Sequence, residues 1–262
     1  SRNAVLSPLH GETEALGACF GEVAGVERPN WYARPGQRPA YAYSYGRQNW
    51  FDNAAAEHRA TRTAAGLFDQ SSCGKFTVEG PDALPLLEQL SANRIDVAPG
   101  RVVYTQWLNG KGGIEADLTV ARLADDAFVV TTGAAVRRRD LARLRRVGEG
   151  FGRVEIQDVS RDRAVVGLMG PKARDLLQPL AGIDLAHTAF RFARTAIATV
   201  AGVQARLTRI TYVGEIGWEI ECAAADARPL WRALVQAGAT PAGMHAMDSL
   251  RLEKGYRHWG HD

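Results

Sequence analysis

The chain has 262 residues, of which 46% are hydrophobic and 23% are charged, and its formal net charge is +3. This length suits one large domain or two ordinary ones, and the composition is that of a globular protein. No apolar run approaches the roughly 18 residues that a membrane-spanning helix needs. The first residues also lack the basic-then-apolar layout of a secretory signal. The sequence therefore predicts no membrane association.

The three cysteines, Cys19, Cys73 and Cys222, are far apart in the chain. An odd number of distant cysteines argues against both a disulfide framework and a zinc cluster, and it fits a reducing compartment. We therefore expect a cytoplasmic protein of bacterial type, or a protein of the mitochondrial matrix if the source is eukaryotic.

Residues 1–50 are rich in glycine, proline, arginine and aromatic residues, which predicts a loop-like lead-in segment that packs on the fold. A helix is predicted at about 52–65. The stretch 136–147 (VRRRDLARLRRV) predicts a helix with an arginine-rich outer face. This face is either simply solvated or a docking site for an anionic partner or an anionic substrate tail. Without interleaved aromatic residues it does not indicate nucleic-acid binding.

One pattern occurs twice, as GKFTVEGPDALPLLEQL (74–90) and as RAVVGLMGPKARDLLQPL (163–180). Each copy predicts a short apolar strand, then Gly-Pro, then a helix with paired leucines. Pro81 and Pro171 are expected at the first helical position, which tolerates proline. The copies lie about 90 residues apart, which indicates two related α+β units.

The segments between and after the two copies predict further strands and helices. The predicted elements are strands at 102–108, 114–123 and 127–132, a helix at 134–147, a hairpin at 206–223, and helices at about 225–237 and 244–255. This mixed order predicts the α+β class with antiparallel sheets. We expect a first subdomain over 51–150 and a second over 151–262.

Several motifs with well-understood chemistry are absent from the sequence. No strand is followed by G-x-G-x-x-G, and there is no G-x-x-x-x-G-K-[ST], G-x-S-x-G or H-E-x-x-H. The histidines of the C-terminal stretch share no metal-ligand spacing, so no metal site is predicted. Hydride or phosphoryl transfer by this chain alone is therefore disfavoured.

Asp117 lies in the middle of a predicted strand, where aspartate is uncommon. Every second residue from Ile114 to Val120 is apolar, and Asp117 lies on the opposite, polar face. That face is either wet or borders a cavity that uses a carboxylate. Because the turn at 109–113 brings two strands side by side, Tyr104 is a candidate neighbour of Asp117.

The second hairpin has a similar arrangement of a tyrosine and two carboxylates. Tyr212 ends one strand, Glu215 lies at the tip of the VGEIG turn, and Glu219 lies in the return strand. The two glutamates are either exposed side chains, as most glutamates are, or part of a site.

Five motifs occur in the order found in the glycine cleavage T-protein (aminomethyltransferase) family, which the sequence resembles over residues 50–262. They are GLFDQSSCGKFTVEGPDA, VVYTQWLNGKGGIEADLTV, LMGPKARDLL, ITYVGEIGWEIE and MDSLRLEKGYRHWGHD. The opening SPLHGETEALGACFGEVAGVERPNWYARPG and the ending EKGYRHWGHD are more similar to one branch. That branch is the folate-binding C-terminal region of dimethylglycine and sarcosine dehydrogenases.

The resemblance implies a site for tetrahydrofolate in the central channel of a three-subdomain cloverleaf. The catalytic aspartate of the family falls on Asp117, and a tyrosine that lines the folate falls on Tyr104. The motif Y-x-G-E-x-G-x-E places Tyr212, Glu215 and Glu219 among the folate-binding residues, with Glu219 holding the pterin ring. A carboxylate suits the adjacent N–H donors of a pterin edge. A carboxylate near the folate amines would orient them and stabilise a cationic iminium.

Three departures from the family pattern bear on function. Met247 stands where the aminomethyltransferases have an arginine, which favours the dehydrogenase branch. The C-terminal β-barrel subdomain of the family is expected to be missing, so that the folate channel lacks one wall. The flavin domain that the dehydrogenase branch needs is not expected in this chain either, so FAD belongs to a companion domain or subunit.

The sequence therefore predicts a tetrahydrofolate-dependent one-carbon transferase, associated with a flavoprotein. It would capture formaldehyde or an iminium from oxidative demethylation of a methylated amine, of the dimethylglycine or sarcosine type, and give 5,10-methylenetetrahydrofolate. Two alternatives stay open: a tetrahydrofolate-dependent methyltransferase or demethylase, and a non-catalytic module for folate binding or assembly.

Overall fold

The computed structural model describes residues 2–262. Its strands, in chain order, are β1 (Ala18–Val23), β2 (Val26–Tyr32), β3 (Gly66–Asp69), β4 (Gly74–Glu79), β5 (Arg101–Leu108), β6 (Ile114–Ala124), β7 (Ala127–Thr132), β8 (Glu155–Asp158), β9 (Arg163–Met169), β10 (Thr195–Val200), β11 (Val203–Thr208), β12 (Gly217–Ala223) and β13 (Thr240–Pro241). Its α-helices are α1 (His10–Ala15), α2 (Phe51–Thr63), α3 (Ala83–Leu90), α4 (Arg137–Gly148), α5 (Ala173–Leu177), α6 (Ala227–Gln236) and α7 (Met244–Glu253). The α+β class with antiparallel sheets is confirmed.

The first large sheet has the strand order β5-β6-β7-β4-β8, and all its pairings are antiparallel. Helices α3 and α4 cover one face of it. Leu86 and Leu144 of these helices pack in one buried cluster with Phe76 and Trp107 of the strands. The opposite face of the sheet carries the polar alternate residues of β5 and β6.

The second large sheet has the strand order β10-β11-β12-β9-β3-β13, in which only β13 and β3 pair in parallel. Helices α5 and α6 bury one face, where Leu177 and Trp231 pack with Trp218 and Ile220 of β12. Since successive residues of a strand point to opposite faces, Glu219 and Glu221 lie on the other side.

Two strands pair across the predicted boundary between residues 150 and 151. Strand β3 precedes the first sheet in the chain but pairs with β9 of the second, whereas β8 follows residue 150 and pairs with β4 of the first. The chain therefore crosses twice between the two sheets, which links the subdomains through main-chain hydrogen bonds.

The repeated motif forms a strand, a turn and a helix at both positions. The helices begin at Ala83 and Ala173, so Pro81 and Pro171 lie in the preceding turns and not at the first helical position. The glycines explain these turns: Gly80 has φ +118° and Gly170 has φ +143°. A Cβ at either glycine would lie 2.4 Å from a backbone carbonyl oxygen of a neighbouring segment, so only glycine allows this close approach.

The N-terminal lead-in segment is more regular than its composition indicates. Residues 10–32 form helix α1 and the β1–β2 hairpin, so the loop-like prediction was wrong for this part. The hairpin turns at Ala24 and Gly25, both with positive φ, and it buries Trp31 completely. Strand β2 of this hairpin lies against helices α2 and α7.

Glu57 of α2 ties these three elements together. Its carboxylate accepts the backbone N–H of Tyr32 at 2.7 Å and that of Gly243 at 2.8 Å. Gly243 precedes α7, and a Cβ there would lie 2.2 Å from the carbonyl oxygen of Asn30. Helix α7 therefore starts in direct contact with the backbone of β2.

None of the helices within residues 2–262 has the length and apolar character of a membrane-spanning helix.

Candidate active site

The alternating pattern of strand β6 turns the Asp117 side chain away from the core of the first sheet. Ala116, Leu118 and Val120 are buried in the core of the first sheet, so Asp117 and Thr119 point to the opposite face, where both are half-buried. The two lie about 7 Å apart along the strand, since a strand rises about 3.4 Å per residue. Asp117 is therefore neither in the core nor fully in solvent.

Tyr104 and Asp117 are brought together by the register of β5 and β6. Tyr104 lies opposite Thr119, and Gln106 lies opposite Asp117, so Tyr104 and Asp117 are diagonal neighbours on one face. The Tyr104 hydroxyl donates to Oδ2 of Asp117 at 2.9 Å. Partial burial, with the charge of Asp117 as the next cause, raises the pKa of Tyr104. The structure thus forms the predicted contact, while the catalytic role of Asp117 stays a prediction.

Glu219 lies on the facing surface of the second sheet. It pairs with Gly167 of β9 and with Thr208 of β11. The amide nitrogen of Gln70 donates to its Oε1 at 3.3 Å, and a Cβ at Gly167 would lie 2.2 Å from the side-chain oxygen of Gln70. Burial raises the pKa of Glu219, and the positive charge of Arg206 opposes the shift.

The polar faces of the two sheets enclose a narrow cavity, which we call the inter-sheet cavity. The volume in which the centre of a water molecule fits is about 10 Å³, so the cavity holds about one water. A larger ligand must therefore move side chains of the lining apart. The lining residues are Val102, Thr119, Ala121 and Thr131 of the first sheet and Val165, Arg206, Thr208, Glu219 and Glu221 of the second.

Two buried polar atoms beside Glu219 have no hydrogen-bond partner among residues 2–262. They are Oε1 of Gln70 and Nε of Arg206. The guanidinium of Arg206 also pairs with Glu221 at 2.6 Å and donates to Thr208. A buried acceptor and a buried donor without partners are costly, which marks this end of the cavity as a place for a polar ligand. The sequence analysis missed Gln70 and Arg206, although the alternation of Arg206 and Thr208 in β11 is a signal for the latter.

A buried lysine stabilises the turn 70–73, which carries Gln70. Lys75 is completely buried, and its Nζ donates to the backbone carbonyls of Ser71 and Cys73, both at 2.9 Å. Burial lowers the pKa of Lys75. Lys75 thus fixes the turn, which in turn aims Gln70 at Glu219.

Tyr212 lies at the other side of the site, under the segment 254–262. Its hydroxyl donates to the carbonyl of Arg257 at 3.0 Å, and its ring stacks on the Tyr256 ring with 6.3 Å between the ring centroids. Burial raises the pKa of Tyr212 to about 12, and the negative charge of Asp117 contributes. The indole N–H of Trp259 donates to the carbonyl of Ile114 at 3.1 Å. The segment therefore crosses from Tyr212 to the beginning of β6, close to Asp117.

Glu215 is not grouped with the other predicted residues. Its carboxylate forms ion pairs with Arg62 at 3.1 Å and with Lys254 at 3.8 Å. Arg62 also donates to the carbonyl of Leu250 at 2.8 Å. These contacts tie the turn between β11 and β12 to helices α2 and α7, so its folate-binding role stays a prediction while its structural role is visible. Among residues 2–262, no group of three or more potential ligand side chains could hold a metal ion.

Comparison with known proteins gives consistent relatives. The chain is 43% identical over 265 residues to 4-methylaminobutanoate oxidase (formaldehyde-forming) of Paenarthrobacter nicotinovorans, which covers all of this chain and 32% of that protein. It is 34% identical over 304 residues to the mitochondrial sarcosine dehydrogenase of Mus musculus, over all of this chain and 33% of that protein. The chain thus spans about a third of the length of these two relatives.

A solved structure supports the same assignment. The glycine cleavage system aminomethyltransferase T of Bartonella henselae superposes with a TM-score of 0.81 at 29% identity, covering 98% of this chain and 64% of that one. The family model of the GCVT N-terminal domain matches residues 9–262. The predicted resemblance to the T-protein family and to sarcosine dehydrogenases is confirmed, and the chain belongs to the GCVT N-terminal domain family.

Proposed function

We propose that this chain is a tetrahydrofolate-dependent one-carbon transfer module. It takes up formaldehyde or an iminium released by oxidative demethylation of a methylated amine and gives 5,10-methylenetetrahydrofolate. Two C–N bonds form to the folate amines, and the leaving group is water when formaldehyde is the donor or the demethylated amine when the iminium is. The observation that carries the proposal is the position of Asp117. It accepts a hydrogen bond from Tyr104 and lies on the same face of β6 as Thr119. Thr119 lines the inter-sheet cavity, and Glu219 lines the opposite wall.

The lining of the inter-sheet cavity fits the amino-pyrimidinone edge of a pterin. Glu219 and Oε1 of Gln70 offer acceptors for adjacent N–H donors, and Nε of Arg206 offers a donor for a ring carbonyl. The last two atoms are buried and have no partner in the part of the chain that the structure describes. A pterin would satisfy both, at the expense of moving the side chains that narrow the cavity.

Asp117 and Tyr104 are the groups that would act on the reacting amines. Tetrahydrofolate, when bound, supplies the amines that accept the one-carbon unit. The carboxylate of Asp117 is an acceptor that orients an amine N–H and stabilises positive charge nearby. Tyr104 holds one oxygen of that carboxylate at 2.9 Å, so the other oxygen stays available.

The source of the one-carbon unit belongs to the same proposal. The relative at 43% identity is named a formaldehyde-forming oxidase, and this chain matches 32% of it. The sequence has no G-x-G-x-x-G after a strand. We therefore assign the oxidation of the amine to a flavoprotein domain or subunit that works with this chain, and the uptake of its product to this chain.

The test measures binding and one-carbon capture separately. Tetrahydrofolate is titrated into the chain by calorimetry, and capture of formaldehyde is followed as 5,10-methylenetetrahydrofolate. Asp117→Asn should keep most of the binding and lose capture, because the amide has nearly the shape of the carboxylate but carries no charge. Asp126→Asn, in the exposed turn between β6 and β7, is the matched control and should capture normally.

Two results would count against the proposal. Absence of binding at millimolar tetrahydrofolate would remove the folate assignment. Normal capture by Asp117→Asn would remove the role of Asp117. If methylated amines or other methyl donors yield 5-methyltetrahydrofolate instead, the reaction is methyl transfer.

A further inference from the structure

A second and larger cavity lies where β5, an edge strand of the first large sheet, meets the start of β10, an edge strand of the second. We call it the seam cavity. The volume in which the centre of a water molecule fits is about 420 Å³, and pockets for small molecules range from about 300 to 1,000 Å³. Its lining consists of Arg101, His187, Thr188, Arg191 and Phe192. This lining has two arginines and a histidine but no acid, so it suits an anion.

The seam cavity is separate from the inter-sheet cavity, because β5 presents opposite faces to the two. Val102 lines the inter-sheet cavity, and Tyr104 shares its face. Arg101 lies on the other face of the strand, with Val103 and Trp107, which pack in the core of the first sheet. A ligand in the seam cavity would therefore leave the proposed folate site free.

Main-chain hydrogen bonds fix Arg101 and Arg194 opposite each other across the seam. The backbone N–H groups of Val102 and Thr195 donate across it at 2.9 and 2.8 Å. This is the non-hydrogen-bonded type of antiparallel pair, in which the Cα atoms lie about 4.5 Å apart and the side chains share one face. Two guanidinium groups thus start from neighbouring positions on a fixed backbone, and like charges placed opposite each other are destabilising.

No carboxylate of residues 2–262 pairs with these cations. Arg101 and Arg194 each donate to one backbone carbonyl, both at 3.4 Å, and the Arg191 side chain has no hydrogen-bond or ion-pair partner. Arg101 also lies opposite Arg122 of β6, but that guanidinium is paired with Asp96 at 2.8 Å. The positive charge at the seam is therefore open to an anion from solution.

We propose that the seam cavity binds a phosphate ester that carries a flat ring, such as a nucleotide. A phosphate group has nearly two negative charges and three strong acceptor oxygens, so it can accept from Arg101 and Arg191 together. A carboxylate has one charge and is satisfied by a single arginine. The Thr188 hydroxyl adds a donor. The ring of Phe192, which is 57% exposed, offers a face on which a base stacks.

The test compares a nucleotide with its two parts. ADP, inorganic pyrophosphate and adenosine are titrated separately into the full chain by calorimetry at low ionic strength. ADP should bind, pyrophosphate should bind several-fold more weakly, and adenosine should give no detectable binding. ADP should also raise the unfolding temperature, because a ligand that binds only the folded state stabilises it.

Variants of three lining residues assign the binding to the seam cavity. Arg101→Met and Arg191→Met should each weaken ADP about tenfold, as expected for loss of charge-assisted hydrogen bonds. Phe192→Ala should weaken ADP about fivefold or more through loss of stacking, and it should leave pyrophosphate unchanged. Arg145→Met removes an exposed charge from α4 and should bind ADP normally. Without ligand, Arg101→Met should unfold at the native temperature or higher, because one of two opposed like charges is removed.

Four results would overturn the inference. A native chain that neither binds ADP at millimolar concentration nor gains thermal stability from it has no such site. If Arg145→Met weakens ADP as much as Arg101→Met does, the attraction comes from the net charge of the surface. Equal affinities for ADP and pyrophosphate would refute the stacking on Phe192. Exclusion of ADP by saturating tetrahydrofolate would show that the two ligands share one site.

The inference does not depend on the proposed function, and the same titrations separate the two. A chain that binds ADP as described but does not bind tetrahydrofolate would refute the folate proposal alone. A chain that binds tetrahydrofolate but not ADP would refute the seam cavity alone.

Discussion

Stability should depend on pH through Glu57, a buried carboxylate without a cationic partner among the described residues. Its exposed fraction is 6%, and its two hydrogen bonds come from the backbone N–H groups of Tyr32 and Gly243. Burial raises the pKa of Glu57 from 4.5 to about 7. The folded state therefore binds this proton more tightly than the unfolded state does.

The sign and the size follow from this difference. A carboxyl group with a raised folded-state pKa stabilises fully below its unfolded pKa of 4.5, and this contribution is lost as pH rises through about 7. Each pKa unit corresponds to about 1.4 kcal/mol, so the free energy of unfolding should fall by about 3 kcal/mol across this window.

The perturbation is Glu57→Gln, which has nearly the same shape and no charge. The amide leaves one backbone N–H without an acceptor, so this variant loses a constant amount of stability at every pH. The informative quantity is therefore the slope. Urea unfolding is followed by tryptophan fluorescence between pH 4.5 and 8.5, and the free energies of the native chain and the variant are subtracted.

The difference between the two chains should shrink by about 3 kcal/mol as pH rises from 4.5 to 8. Glu14→Gln, at an exposed position of α1, should run parallel to the native chain. Parallel curves for the native chain and Glu57→Gln would refute the reasoning, because Glu57 would then have the same pKa in both states.

Three further predictions concern the site and its supports. Gly243→Ala should lower the free energy of unfolding by about 2 kcal/mol or more in urea titrations, because its Cβ would lie 2.2 Å from the carbonyl oxygen of Asn30 and overpacking of this kind is costly; a neutral effect would contradict the contact between α7 and β2. Tyr104→Phe should slow formaldehyde capture several-fold, about 1 kcal/mol for one hydrogen bond to Asp117, with the unfolding free energy nearly unchanged; equal capture rates would show that this bond is not needed. Burial raises the pKa of Glu219, and only its ionised form accepts both N–H donors, so the affinity for tetrahydrofolate should fall as pH is lowered, beginning above the range of an ordinary glutamate. In calorimetry from pH 8 to 5, Glu219→Gln should bind more weakly and with no pH dependence. A native chain whose affinity does not change with pH would disprove the role of the carboxylate.

Local patterns were sufficient where a single hairpin decides the outcome. The alternation in β6 predicted that Asp117 faces away from the core, and a short turn implied that Tyr104 is beside it. Both results depend on residues within about 20 positions of each other. The repeat of strand, glycine-proline turn and helix was visible for the same reason, although the proline lies before the helix and not within it.

Patterns failed where a side chain is positioned by distant segments. Glu215 and Glu219 share one motif, yet Glu215 pairs with Arg62 of α2, whereas Glu219 meets Gln70 of the turn after β3. Spacing along the chain does not distinguish these two fates. The hairpin β1–β2 was missed because its glycines and proline favour turns in any local interpretation, while packing of Trp31 against the rest of the fold stabilises the strands.

The sequence by itself determined the class, the repeat and the faces of the strands, because these follow from periods of two and 3.6 residues and from the conformational range of glycine and proline. It also identified the family through five ordered motifs. Only the tertiary structure decided that the polar faces of two sheets oppose each other. It also decided that β3 belongs to the second sheet and β8 to the first. It alone placed Gln70 and Arg206 beside Glu219. Burial and missing partners, which give these groups their energetic meaning, are properties of the folded chain and have no local signature.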